Sequence, residues 1–415
     1  MATLHPFRGF RPGKTDVNQV ASRPYDVLNS EEAREEVAGN PRSFLHVVKP
    51  EVDLPPDVDL YSREVYARGK DNLDTLIRDG FFLQDKKEML YIYGQTMFGK
   101  TQYGIVGCAS VDDYMSGVIK KHELTRPDKE EDRMNHIRVT NFNAEPVFFA
   151  FPDHEELDRI VGSVVSGAPE YDFTTGDGVG HHFWLVDSGE KIDRMVEIFD
   201  TEIPSTYVAD GHHRTAAAAL VGQERRSSNP SHRGDEEYNF FLAVHFPASQ
   251  LTIIDYNRVI RDLNGMDPEE FLEELQIGFT LEEKGTDIYK PNRLHNFGMY
   301  LQGKWYSLTA KPGTYDDADP IGCLDVTVLS EQVLGPLLNI TDLRKSKRID
   351  FVGGIRGLEE LSKRVDGGEM AVAFALYPVT MKQLMDIADN GMIMPPKTTW
   401  FEPKLRSGLV IHSLE

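Results

Sequence analysis

The sequence predicts an α+β, mixed α/β protein in two interleaved lobes, and three observations predict it. Short runs rich in β-branched and aromatic residues alternate with capped, amphipathic stretches of helical length. No fixed-period repeat or low-complexity tract is visible, which argues against a solenoid or a disordered scaffold. The 415 residues with 40% hydrophobic content suffice for one large or two ordinary domains with developed cores. The expected boundary lies near Asn264 to Pro268, dividing the chain into lobes 1–264 and 265–415.

Each element follows from local chemistry. Ser30 is positioned to cap a short acidic helix, "EEAREEVAG", whose early glutamates suit the positive end of the helix dipole. Asp57 to Asp79 reads as a longer helix that stops at Gly80. "MLYIYGQTMFGKTQYGIVGCASV" reads as two strands joined by a turn, and "EPVFFAFP" and "HHFWLVD" as further short strands. A strand at Tyr207 to Ala209 leads into "TAAAALVGQERR", which has the alanine-rich composition of a helix. "YNFFLAVHFP" and "LTIIDYNRVI" resemble buried strands, "DPEEFLEEL" a capped helix, and "DVTVLSEQVLGPLL" a helix beginning near Val326. "LEELSKRV", "MAVAFALY" and "TMKQLMDIAD" complete the second lobe before a proline-stiffened tail.

The bulk chemistry excludes several functions. With 45 basic against 67 acidic residues, the formal net charge of −22 repels polyanions at long range, so any bound anion needs a local cluster of donors. Two cysteines are too few for a disulfide framework, the N-terminus has no secretion-signal core, and no apolar run approaches the roughly 20 residues of a membrane span. A cytoplasmic protein is expected.

"GQTMFGKT", Gly94 to Thr101, matches the phosphate-loop pattern of Gly, four residues, Gly, Lys and Thr. That mechanism requires a helix after the loop, and "QYGIVGCAS" is poor as a helix. A hairpin with Lys100 on its turn is the better reading.

"YVADGHHRTAAAAL" has the context that this motif lacks: a strand, a turn at Asp210 and Gly211, and a helix beginning near His212. The unpaired N–H groups of a first helical turn, helped by the dipole, make an anion site. Gly211 lets the backbone approach a ligand, Arg214 offers a planar fork for phosphate oxygens, and His212 and His213 are candidate donors or proton carriers. In the alternative, Asp210 merely caps the helix, the histidines are partly buried and Arg214 pairs with a surface acid. No metal site is expected, because adjacent histidines on a helix diverge by about 100° and no Cys-x-x-Cys or His-Glu-x-x-His occurs.

Three further segments concentrate residues suited to phosphate chemistry. "IKKHELTRPDKEEDRMNHIRVTN" offers His122, Glu123, Arg126, Arg133, His136 and Arg138, with Glu123 the candidate general base for a substrate hydroxyl and His122 beside it. "SRPYDV" contributes Arg23, Tyr25 and Asp26. "PPKTTWFEPKLRSG" contributes Lys397, Lys404 and Arg406 on a stiff loop, and loops carry sites.

In combination, "RPYDV", "NPRSFLHV", "KHELT", "ADGHHRTAAA", "DYNRVI" and "PPKTTWFEPKLRSGLV" resemble the bacterial and archaeal domain of unknown function 1015 family, in this order and over nearly the whole chain. The Asp-Gly-His-His-Arg segment is similar to the phosphate-binding turn of the ParB and sulfiredoxin-like superfamily, which includes free-serine kinases using ADP or ATP. The resemblance implies a ParB/sulfiredoxin-like phosphate-binding core with an additional C-terminal α/β lobe whose tail loop returns toward the site. It also implies a nucleotide-dependent phosphotransferase acting on a small hydroxylated metabolite, serine or phosphoserine among them, with ATP or ADP and Mg²⁺. Asp210, Gly211, His212, His213 and Arg214 would then hold phosphates, with His122, Glu123 and His213 in catalysis. Arg23, Tyr25, Asp26, Arg126, Lys397, Lys404 and Arg406 would bind substrate. Two readings compete: a non-catalytic sensor of a nucleotide or phosphorylated metabolite, and a ParB-like DNA-associated switch, which the net charge disfavours.

Overall fold

"VFFAF" becomes an interior strand of an eight-stranded sheet, with every residue buried. The computed structural model describes residues 1–415, which divide into two compact units: Met1–Leu251 together with Pro403–Glu415, and Thr252–Glu402. The division falls at Leu251/Thr252 instead of near residue 264, because the strands of "LTIIDYNRVI" pair with strands of the second unit. The final segment belongs to the first unit, where His412 pairs with Asn143 and Ser413 with Phe142. Backbone pairing, which each buried N–H and C=O requires, outweighs nearness in sequence.

In the first unit, β1 (Leu90–Met97), β2 (Lys100–Ser110), β3 (Ile119–Lys120), β4 (Val147–Phe151), β5 (Tyr171–Thr174), β6 (Gly180–Val186), β7 (Thr206–Asp210) and β8 (Phe240–Pro247) form the sheet in the order β3-β7-β4-β8-β2-β1-β6-β5. Only the β3/β7 and β4/β8 pairs are parallel. β1 and β2 are the arms of a hairpin whose turn residues Phe98 and Gly99 have φ of 51° and 76°. Lys100 thus sits beside a two-residue turn with positive φ at both positions, the conformation that suits strand twist, and "GQTMFGKT" is no phosphate loop.

Six longer helices surround this sheet: α1 (Ser30–Val37), α2 (Arg63–Arg78), α3 (Pro127–Thr140), α4 (Glu155–Val165), α5 (Gly189–Glu202) and α6 (His212–Ser228). The cap of α1 is Asn29, whose side chain accepts from the N–H groups of Glu31 and Glu32, while Ser30 is already helical and its hydroxyl donates to Glu51. α2 starts six residues later than the sequence suggests, behind a loop of two prolines and acids. Ala217, Ala219 and Val221 of α6 and Met134 and Ile137 of α3 share one core with Val147, Phe149, Val208 and Phe241 of the sheet. Small alanines let α6 approach closely; at Gly222 an added Cβ would lie 2.5 Å from the Tyr238 carbonyl oxygen.

Side-chain contacts set the helix directions. Tyr61, just ahead of α2, meets Lys129 and Tyr66 meets Asp132, so α2 and α3 advance together. His213 meets Arg126 and Glu224 meets Arg138, so α3 and α6 do too. All three helices therefore present their N-termini at one end, where their dipoles add.

In the second unit, β9 (Tyr256–Ile260), β10 (Phe279–Gly285), β11 (Asn296–Leu301), β12 (Lys304–Ala310), β13 (Ile349–Gly353) and β14 (Val372–Ala375) form an antiparallel sheet in the order β10-β12-β11-β14-β9-β13. α7 (Pro268–Gly278) is capped by Asp267, whose carboxylate accepts from Glu270 N–H at 2.8 Å. The helix anticipated at Val326 starts at Asp325 and widens into a π turn over Ser330–Leu334.

Candidate functional site

The end of β7 is built to change direction. Its register on β4 slips between Val208 and Asp210, so one extra residue bulges out just before the turn. Bulges re-aim side chains, and this one turns Asp210 toward the start of α6. Gly211 follows with φ 89° and ψ 35°, a left-handed conformation that costs glycine nothing. An added Cβ there would lie 3.2 Å from the Arg214 guanidinium. No side chain caps α6 and no acid occupies its first turn. The first helical bond runs from Thr215 N–H to the Gly211 carbonyl at 2.9 Å, which leaves the preceding N–H groups outside the helix ladder.

Arg214 does not present a free fork. It is buried, donating from Nη1 to the Pro146 carbonyl at 2.7 Å and from Nη2 to Asp210 at 3.1 Å, with Asp26 at 3.7 Å. Two of its nitrogens are thus engaged by the protein, while Nε is buried without a partner. Lys404 supplies the second cation, its ammonium 3.0 Å from the other Asp210 oxygen. Burial would raise the Asp210 carboxyl, but the charges of Lys404 and Arg214 outweigh it and hold the group at about 2. The acid is thus ionised and neutralised at the mouth of the turn.

The histidines divide into two kinds. His122 and His212 are buried and meet edge to face, ring centroids 4.5 Å apart. Burial lowers His122 to about 4, and burial followed by the nearness of His122 lowers His212 well below its ordinary value. Both imidazoles are neutral at pH 7, and His212 Nε2 is a buried nitrogen without a partner. His122 therefore lies inside the protein, its ring against His212 at the start of α6. His213 is half-buried, and its Nε2 accepts the Arg126 N–H at 3.0 Å, which fixes the proton on Nδ1. Burial lowers its pKa as well.

Of the remaining candidates, Glu123 is half-buried in the loop between β3 and α3. Tyr25 stacks on the Arg133 guanidinium, 4.0 Å from ring centroid to Cζ, and gives its N–H to Glu145 at 3.0 Å. Arg23 instead pairs with Glu36 on the surface, and the Arg126 side chain with Asp128 in solvent. Arg406 is buried and held by Asp177, Thr175 and His181, anchoring the tail. Lys397 belongs to the second unit, where its carbonyl accepts from the buried Arg258 at 2.9 Å and its ammonium faces the Tyr256 ring.

Sequence reasoning missed Glu145. Its carboxylate takes the Tyr25 N–H, the Ser407 hydroxyl at 3.2 Å and, at 3.7 Å, the charge of Arg133. Burial raises its pKa against the opposing effect of Arg214 and Arg133. It ties the "RPYDV" loop, the tail and α3 together beside a cavity of about 30 Å³ lined by Arg133, Asn143, Glu145 and Arg214, room for about one water. A lone acid ahead of an all-apolar strand was the available signal. Gln95 was missed too: its amide donates to the Lys404 carbonyl at 3.0 Å and so ties the tail backbone to the sheet at that residue.

The arrangement can bind an anion. Uncapped N–H groups at α6 and the ammonium of Lys404 supply positive potential at this turn. These donors fit phosphate oxygens. No group of three or more His, Cys, Asp or Glu side chains gathers as a metal site. No helix is long and apolar enough to cross a membrane.

Comparison with known proteins adds the following. A free serine kinase in complex with AMP is 14% identical at a TM-score of 0.34, with 74% of this chain and 92% of that chain covered. SbnI with a C-terminal truncation, from Staphylococcus aureus, is 12% identical at a TM-score of 0.39, with 74% and 87% covered. A conserved hypothetical protein from Pyrococcus furiosus is 14% identical at 0.34, with 74% and 95% covered. No curated protein matches the chain. The family model described as "Protein of unknown function (DUF1015)" matches residues 4–327.

Proposed function

For this chain, which belongs to the DUF1015 family, we propose a nucleotide-dependent phosphotransferase that moves a phosphoryl group between ATP or ADP and a small hydroxylated metabolite, with serine and phosphoserine the first substrates to try. The single observation that carries this reading is the uncapped start of α6 at Gly211, faced by an acid that two cations already neutralise. Phosphoryl transfer asks a protein mainly for positioning and charge stabilisation, and this geometry supplies both.

In the forward direction the α6 N–H groups and Lys404 hold the phosphate oxygens. The substrate hydroxyl oxygen attacks the terminal phosphorus, the bond to the bridging oxygen breaks, and the shortened nucleotide leaves with that electron pair. Glu123 takes the hydroxyl proton. Asp210, kept ionised, positions Lys404, and Arg214 stiffens the turn from within. The core then serves as a ParB/sulfiredoxin-like phosphate cradle.

The test mixes the full chain with serine or phosphoserine, ATP or ADP and Mg²⁺, and follows phosphate exchange by ³¹P NMR. Turnover that Glu123→Gln abolishes while nucleotide binding persists supports the proposal. Nucleotide binding without exchange across a panel of small alcohols would leave a sensor. Absence of binding ends both.

A further inference from the structure

Burying a guanidinium is costly unless a carboxylate meets it. Four arginines are buried, and three of them pair with acids: Arg133 with Asp132 at 2.9 Å, Arg214 with Asp210 at 3.1 Å, and Arg406 with Asp177. Arg258, 1% exposed on β9 of the second unit, is the exception. It donates to the Tyr256 and Lys397 carbonyls, and its charge faces the rings of Phe351 and Tyr256, 5.2 and 5.9 Å from Cζ. Burial lowers its pKa to about 10, opposed only by Tyr256.

A second cation stands beside it. Lys397 is exposed, and its ammonium lies 5.6 Å from the same Tyr256 ring. Its backbone has φ 60°, a left-handed conformation that a residue with a Cβ adopts at a cost. Pro395 and Pro396 stiffen the turn, the Thr398 hydroxyl closes it onto the Pro395 carbonyl at 2.6 Å, and Arg258 Nη2 holds the Lys397 carbonyl at 2.9 Å. Acids of the same strands are turned to other partners: Asp255 to the Asn257 amide, Asp350 to Arg364 at 2.6 Å, and Glu402 to the Trp400 indole at 2.8 Å. Aromatic faces attract cations but carry no net charge, so two positive charges are left here without a counter-ion. A backbone held in a strained conformation is one of the marks of a ligand site.

We propose that Lys397, backed by the buried charge of Arg258, is an oxyanion site of the second unit that takes the phosphate or carboxylate group of a small metabolite. This site is independent of the reading of α6. Lys397 supplies the direct contact, a point charge with three donors, while Arg258 fixes the turn and adds to the positive potential.

Trp400 meets the Tyr256 ring edge to face, centroids 4.9 Å apart, so its indole reports on this ring. The chain has three tryptophans, and the indole ¹H–¹⁵N signal lost in Trp400→Phe is its own. The experiment titrates the full chain with sodium phosphate and, separately, with sodium acetate at constant ionic strength. Saturable movement of the Trp400 signal with either anion supports the site, and the anion that causes it assigns phosphate or carboxylate. Lys397→Met should weaken the midpoint about tenfold, the effect of one charge-assisted contact, and Lys397→Arg should stay within about threefold of wild type. Lys397 is exposed, so neither change threatens folding. Lys404→Met, which strikes the α6 site, should leave the midpoint within about twofold. A wild-type signal that neither anion moves, a midpoint unchanged in Lys397→Met, or an equal loss in Lys404→Met overturns the proposal.

Discussion

Lys404 holds its ammonium 3.0 Å from Asp210, a residue 194 positions earlier in the chain. Arg214 reaches the other oxygen of the same carboxylate at 3.1 Å. One acid between two cations leaves the start of α6 without an uncompensated carboxylate at Asp210. Removing the outer cation in Lys404→Met should leave the Asp210 charge facing the phosphate. Nucleotide affinity is expected to fall about tenfold, the value of one charge-assisted contact. Calorimetric titration checks this; wild-type affinity in the variant would mean that Lys404 serves the tail alone.

Gly211 carries the turn at φ 89°, where side chains are disfavoured. Gly211→Ala adds strain and sets a Cβ 3.2 Å from the Arg214 guanidinium, which must shift. A stability loss of about 1–2 kcal/mol is expected, together with weaker phosphate binding. Urea denaturation and tripolyphosphate titration measure the two effects separately. Retention of both would show that this backbone conformation is not needed.

His245 is fully buried in β8, and neither ring nitrogen has a partner. It packs against Phe149 and Phe199, centroids 5.5 and 5.4 Å away, and burial lowers its pKa to about 3. Because the folded value lies below the unfolded value of about 6.5, its contribution is present above pH 6.5 and is lost as the pH falls toward 3. His245→Phe removes the unpaired nitrogens, worth about 1–3 kcal/mol before any overpacking. The gain in urea midpoint should be larger at pH 5 than at pH 8. A gain independent of pH would assign the acid sensitivity to another histidine.

Asp325, in the second unit, is buried and accepts the His295 N–H at 2.7 Å. Burial raises its pKa to about 7. The folded value lies above the unfolded one, so its favourable contribution is complete below about pH 4 and is lost as the pH rises through 7. Asp325→Asn keeps the acceptor and removes the titration. The variant should melt at a higher temperature than wild type at pH 8.5 and near the wild-type temperature at pH 4.5. Parallel melting curves at both pH values would contradict the burial of a protonated acid.

Much of the first unit was legible in order of residues. The "GHHRTAAAAL" helix, the "MFGK" hairpin turn and the all-apolar "VFFAF" strand depend on local spacing, glycine conformation and alanine content, which act over a few residues. Residue types also marked segments that meet around the start of α6, where Lys404, Asp210 and Arg214 come together. Their roles were not legible in the same way. Arg214, Arg406 and His122 look alike on paper to residues that meet a ligand, yet each is buried and engaged or neutral. Burial and partner distance determine whether a guanidinium is a ligand or an internal brace, and neither quantity is local.

What the sequence alone determined was the period of its apolar residues, the left-handed turn at Gly211 and a surplus of acids that repels anions at long range. Only the tertiary structure decided that Lys404 would shield Asp210, that Glu145 would join the "RPYDV" loop to the tail, and that α2, α3 and α6 would begin at one end. The physical reason is range: dihedral preference and capping are settled between neighbours in the chain. Charge compensation and the summing of helix dipoles are settled between neighbours in space.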